Sequence, residues 1–144
     1  MFIGRANTVT DELVVAFEHL FPQLKFSFPA ASRADMEALI ASDSSILLYA
    51  RYPDGQAAIA GILTLIIYRV PTGIRARVED LVVDEAMRGK GVGQALVRYA
   101  MDLAREAGAD GVALTSNPKR EAANRLYQKL GFKPWQTNLY FYKF

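Results

Sequence analysis

The 144-residue chain contains no cysteine, a single histidine and a single tryptophan. Without a thiol there is no disulfide framework, no thiolate nucleophile and no cysteine-ligated metal site. His19 is the sole imidazole, which rules out a multi-histidine zinc site. An excess of charge of one sign is missing as well: 17 basic residues face 15 acidic ones, for a formal net charge of +2. A protein whose main partner is a polyanion carries a far more basic surface, so no nucleic-acid partner is expected. Long hydrophobic runs are also absent. The longest, Ile59 to Ile67, is broken by Gly61 and Thr64 and is about half the ~20 residues of a bilayer span. Met1 to Arg5 lacks the basic and apolar stretches of a signal peptide, which leads to the expectation of a cytoplasmic protein with no membrane partner.

What is there is an ordinary globular composition, 51% hydrophobic and 22% charged, in a length that buries a core without staples. With no repeat, linker or low-complexity tract, one continuous domain over residues 1–144 is expected. Phe2 to Ala6 reads as a short strand. Thr10 caps a helix that carries Asp11 and Glu12 in its first turn and an apolar stripe of Leu13, Phe17 and Leu20. Phe21 to Pro29 reads as a loop or irregular turn. Ser32 opens a second helix, through about Ala41, in a near capping box with Asp35.

Ile46 to Tyr52 and Ala57 to Tyr68 flank the turn Pro53-Asp54-Gly55, and Pro71-Thr72-Gly73 leads into a third strand, Ile74 to Asp84. A glycine-containing loop, Arg88 to Gly93, precedes a long helix with Val92, Leu96, Tyr99, Leu103 and Ala107 along one side, stopped by Gly108. Gly111 to Thr115 reads as a strand, Pro118 to Leu130 as a helix ended by Gly131, and Asn138 to Phe144 as a last aromatic strand. Antiparallel strands followed by strand–helix–strand predict a mixed α/β fold, with a mostly antiparallel sheet and helices on both faces.

The chemistry concentrates in Val78 to Leu96. A strand delivers the chain into a glycine loop whose backbone N–H groups can converge, and the next helix adds its unpaired N-terminal amides. That combination is an anion cradle suited to a phosphate or pyrophosphate. It is not a Walker loop, because Gly89-Lys90 is followed by Gly91 in place of Ser or Thr. Nor is it a dinucleotide fingerprint, since Gln94-Ala95-Leu96 follows Gly91-Val92-Gly93.

Arg88-x-x-Gly91-x-Gly93 does match the Arg/Gln-x-x-Gly-x-Gly/Ala motif of the GNAT superfamily of N-acetyltransferases. Downstream, Leu114 to Asn117 and then Glu121 to Phe132 resemble the family's second signature, Asn-x-x-Ala-x-x-Leu-Tyr-x-x-x-Gly-Phe. The resemblance covers roughly Arg75 to Lys133. It implies a sheet with splayed middle strands and acetyl-CoA as co-substrate, with no metal. The amides of Arg88, Gly89, Lys90, Gly91, Val92 and Gly93 would take the coenzyme pyrophosphate, and the backbone of Leu81-Val82-Val83 its pantetheine arm. Asn117 stands either as a helix cap or as a contact to that arm. Asn124 would bond the arm, and Tyr127, near the sulfur, would serve as the acid that protonates the leaving thiol.

An amine must lose a proton before it attacks a thioester, and a carboxylate can take it. Strand alternation puts Glu79 on one face with Leu81 and Val83, and Asp80 on the other with Val78 and Val82. The family commonly uses a glutamate at the Glu79 position, so Glu79 is the expected base and Asp80 its competitor. The plain alternative pairs Glu79 with Arg75 or Arg77 across a hairpin. With no thiol to carry the acetyl group, direct transfer to a small-molecule or peptide amine in a ternary complex is the simplest course. Phe21 to Phe28 and Asn138 to Phe144 are the aromatic stretches expected to border the acceptor or to cover it in a homodimer. An idle coenzyme-A-binding sensor or interaction module is the competing function. His19 is assigned no chemistry.

Overall fold

The computed structural model describes residues 1–24 and 31–144. Four antiparallel strands follow in spatial order, β1 (Phe2–Arg5), β2 (Ser45–Arg51), β3 (Ile59–Val70) and β4 (Gly73–Val83), and β5 (Val112–Ala113) pairs parallel to β4. The helices α1 (Asp11–Leu20) and α2 (Arg33–Ala41) lie between β1 and β2 in the chain; α3 (Val92–Glu106) and α4 (Glu121–Lys129) flank β5. The result is the mixed α/β fold with helices on both faces of the sheet.

Local chemistry starts the first two helices where the sequence places them. Thr10 Oγ1 accepts the Leu13 N–H at 3.2 Å. Ser32 and Asp35 complete a reciprocal capping box, with the Ser32 N–H donated to Asp35 Oδ2 at 2.8 Å. Both devices occupy amides that the first helical turn leaves unpaired. Arg51 then ties α1 to β2 through two bonds to the Glu12 carboxylate, of 2.5 and 2.6 Å.

Each face of the sheet has its own apolar layer. On one side Leu13, Phe17 and Leu20 of α1 and Met36 of α2 pack on Leu47, Ile62 and Val82. On the other, α3 sets Val92, Leu96, Val97, Ala100 and Ala104 against Leu48, Leu63, Leu65 and Leu81. The expected α3 stripe is only half right, because Tyr99 is exposed and Ala100 and Ala104 are buried in its stead. The two alanines lie on the face that α3 turns to the sheet, and Tyr99 lies off it.

The strand alternation expected in β4 is also corrected. Thr64 pairs with Glu79 and Ile62 with Val82, so the single residue Leu63 stands opposite both Asp80 and Leu81. This β-bulge is centred on Asp80, whose φ of 50° is the one positive value at a non-glycine among the described residues. One extra residue reverses the alternation. Val78 therefore shares its packing layer with Leu81 and Val83, while Val82 faces α1 and α2.

Asn138 to Phe144 is not a strand. The segment has no ladder pairing, and Leu139, Tyr140, Phe141, Tyr142 and Phe144 are all exposed. Propensity for a pleated surface does not form a strand unless an edge is offered, and β5 is only two residues long.

Candidate active site

Pairing between β4 and β5 is confined to Ala76–Val112 and Arg77–Ala113. Beyond it a cavity of about 330 Å³ lies between the strands, lined by Glu79, Asp80 and Leu81 on one side and by Thr115, Ser116, Asn117, Arg120 and Tyr127 on the other. Ser116 Oγ is buried here without a hydrogen-bond partner among the described residues. An unpaired buried hydroxyl costs about 1–3 kcal/mol, which a ligand with polar atoms would relieve.

The glycine loop lies at the end of β4. A short helical turn, Glu85–Met87, is capped by Asp84, whose Oδ1 accepts the Ala86 N–H at 2.8 Å. The N–H groups of Arg88 and Lys90 turn back to the Glu85 and Met87 carbonyls at 3.3 and 3.4 Å. Gly89 and Gly91 have φ of 78° and 84°, and each has open space where a Cβ would project. Gly91 starts α3 with no side-chain cap, which leaves the dipole end of that helix facing the loop. Gly93 serves packing: a Cβ there would meet Leu126 at 3.3 Å and Val83 at 3.4 Å. Lys90 is directed elsewhere, its Nζ 5.5 Å from the Tyr52 ring centre.

A second cavity of about 400 Å³ opens on the opposite face, under α1 and α2. Phe17, Phe21, Met36, Leu39, Ile62 and Ile66 make it apolar, and Asp35, Glu79 and Asp80 bring carboxylates to it. Phe21 stacks on Phe17 with ring centres 4.9 Å apart. Of the two stretches expected at the acceptor, Phe21 lines this cavity, whereas Lys25 to Phe28 fall outside the described residues. No residue from Asn138 to Phe144 lines either cavity.

Glu79 and Asp80 belong to both cavities. Glu79 is bonded to Arg77, two residues along the same strand and not across a hairpin. Asp80 is held above the usual carboxylate range by partial burial and by the charge of Glu79, with Arg120 opposing both. Tyr127 is 6% exposed, and burial pushes its hydroxyl above the ordinary phenol value, again against Arg120. At the entrance to the loop, burial would raise Asp84. The Ala86 N–H, His19 and Arg88 outweigh it and hold the carboxyl below its usual range. His19 Nε2 lies 2.5 Å from Asp84 Oδ2 and so pins α1 to the start of the loop.

Thus Glu79, Leu81, Asn117 and Tyr127 are brought together around one cavity, with the loop from Arg88 to Gly93 following at the strand end. Val82 packs under α1 and α2. Asn117 has both its expected characters: it lines the cavity, and its Oδ1 accepts the Lys119 N–H at 2.9 Å. Asn124 stands apart, its amide donated to the Asn117 and Pro118 carbonyls at 3.0 and 3.4 Å. Sequence reasoning missed Arg120, which lines the cavity and donates from Nη2 to the Leu81 carbonyl at 3.2 Å. Counting back from Ala123, Leu126 and Tyr127 would have found it, because the second signature's asparagine falls on position 120.

A split sheet, a glycine loop after the split strand and a helix bearing the second motif are together the mark of an acyltransferase. Residues 10–132 match the model of the acetyltransferase (GNAT) family, and the chain belongs to that family. Glucosamine 6-phosphate N-acetyltransferase 1 of Oryza sativa subsp. japonica is 34% identical over 143 residues, 97% of this chain and 79% of that one. The same organism's probable glucosamine 6-phosphate N-acetyltransferase 2 is 36% identical over 126 residues, 83% and 73% of the two chains. Among solved structures, an aminoglycoside acetyltransferase from an uncultured soil metagenomic sample, in complex with sisomicin, superposes with a TM-score of 0.82. It is 18% identical, with 99% of this chain and 95% of that one covered. The protein is therefore an N-acetyltransferase of the GNAT family that uses acetyl-CoA as co-substrate and an amine as acceptor. Among the described residues no helix is long and apolar enough to cross a membrane.

Proposed function

We propose that residues 1–144 form one catalytic domain that moves an acetyl group directly from acetyl-CoA to a primary amine with an apolar body. The observation that carries this reading is the meeting of two unlike cavities at Glu79 and Asp80. The coenzyme supplies a thioester, from which the amine takes the acetyl group as the thiol departs. Gly89, Gly91 and the uncapped start of α3 suit its pyrophosphate, and the unpaired Ser116 hydroxyl and the Leu81 backbone suit its arm. Glu79, on the face of Thr64 and toward the cavity under α1 and α2, takes the proton that the amine must shed. Tyr127 holds a proton at the wall of the other cavity for the departing sulfur.

The acceptor class follows from the lining. An ammonium group is drawn to Asp35, Glu79 and Asp80, and an apolar body is drawn to Phe17, Phe21, Met36 and Leu39. The phosphate of glucosamine 6-phosphate, the substrate named for the rice relatives, would face those carboxylates. The test is a melt with and without excess acetyl-CoA, followed by thiol release with phenethylamine, hexylamine, glucosamine 6-phosphate and an aminoglycoside. A ligand at 100 times its Kd stabilises the fold by about 2.7 kcal/mol, within reach of a melt. Faster release with the two apolar amines is expected. Release with the phosphorylated sugar alone would overturn the acceptor class, and a melting shift with no release for any amine would favour an idle coenzyme binder.

A further inference from the structure

A guanidinium stands in the β4–β5 cavity where the family's second motif carries an amide. Arg120 is the single cationic side chain among the described residues that line this cavity, and Glu79 and Asp80 bring carboxylates to the same space. Its Nη2 donates to the Leu81 carbonyl at 3.2 Å, and its backbone N–H to the Asn117 carbonyl at 2.9 Å. Arg120 is the N-cap of α4 and Tyr127 follows seven residues on, about two turns along the helix, and both line the cavity.

Building on the acetyltransferase reading, we propose that Arg120 is the counter-ion of the sulfur that leaves coenzyme A during transfer. The amine lone pair forms the new nitrogen–carbon bond to the acetyl group. The carbon–sulfur bond breaks with its electron pair on sulfur; Glu79 has already taken the proton that freed the amine, so the proton left surplus on nitrogen is the one that finally goes to sulfur. Until it arrives, negative charge rests on sulfur in a cavity that also holds Asp80. An ordinary thiol, with a pKa near 8.5, is a stronger acid than an ordinary phenol near 10. Proton transfer from tyrosine to thiolate is then uphill by about 1.5 pH units before burial is considered, and burial of Tyr127 adds to that. The charge on sulfur must therefore be held electrostatically until a proton arrives. A guanidinium remains charged at any working pH and binds an anion more strongly in a dry cavity than in water.

The test titrates the thiol of coenzyme A bound to the whole protein by its thiolate absorbance, with the desulfo-coenzyme complex as blank. Wild type is compared with Arg120→Asn, which restores the residue of the family motif, and with Arg120→Lys. The bound thiol is expected to titrate about one pH unit below free coenzyme A in the wild type and in the lysine variant, and to return to the free value in the asparagine variant. The same loss of one unit corresponds to a ~10-fold lower kcat for Arg120→Asn with little change in KM for acetyl-CoA. Arg120→Gln replaces the asparagine variant if the latter melts below the assay temperature. Equal titration of bound coenzyme in wild type and variant would overturn the role of Arg120 and leave the acetyltransferase reading standing. Failure of wild type to bind coenzyme A at all would overturn both.

Discussion

The two cavities that meet on β4 are of similar size and opposite character. The one between β4 and β5 is walled by backbone and by Thr115, Ser116, Asn117, Arg120 and Tyr127, a set rich in directional hydrogen bonding. The one beneath α1 and α2 is walled by aromatic and aliphatic side chains, with carboxylates at its meeting with the first. Directional groups suit a ligand that never varies, such as a coenzyme. Apolar walls recognise shape and volume and are retuned one side chain at a time. One fold can therefore keep its co-substrate and change its acceptor, provided that the residues common to both cavities stay in place.

The largest loss is expected at a residue common to both cavities. Glu79→Gln removes the proposed base and is expected to lower kcat by about 100- to 1,000-fold. The stabilisation by acetyl-CoA in a melt should be unchanged, because the amide keeps the shape of the wall. Full activity would move the base elsewhere. A change confined to the apolar cavity is milder. Phe21→Ala removes a ring that is stacked on Phe17 but only partly buried, and is expected to raise KM for an apolar amine ~10-fold. An equal loss of coenzyme binding would show that the cavities are not independent.

The smallest effect is expected at Asp80, where stability changes apart from turnover. The folded-state pKa of Asp80 is raised above its ordinary 3.8. Its ionisation thus opposes folding, and stability is lost as pH rises from that ordinary value through the raised one. Asp80→Asn removes this loss and also suits the positive φ at the bulge. A Tm higher by a few degrees at most is expected at pH 7, with no gain below pH 3.8. A fall in Tm at pH 7 would mean that the carboxylate stabilises the bulge.

What could be read in the sequence was mainly what is decided locally. The caps at Thr10 and Ser32, the turn glycines and the loop after β4 depend on a few consecutive residues, and each stands where expected. Two motifs in order identified the family and hence the split sheet. The bulge was not legible, because Val78 to Val83 reads as an uninterrupted strand and only pairing with Leu63 exposes the extra residue. The last seven residues misled for the opposite reason, since a strong strand composition met no edge to pair with. Tyr99 lost its place to Ala100 because the face that α3 turns to the sheet is set by tertiary packing. Arg120 was within reach of simple counting. Asn124 drew notice because it is an asparagine, whereas the asparagine position of the second signature is occupied by Arg120.

The bulge at Asp80 also gives β4 one residue more than its packing requires. Upstream of it, Ala76 and Val78 address the layer beneath α3; downstream, Leu81 and Val83 do. Deleting Glu79 or Asp80 would leave these two sets in phase, because Val78 and Leu81 would then stand two apart in a regular strand. Leu81 would still face α3, and Val82 would still face α1. What would vanish is one of the two carboxylates shared by the cavities, together with the kink that displays it. The apolar layers can do without the extra residue; the place where the two cavities meet cannot.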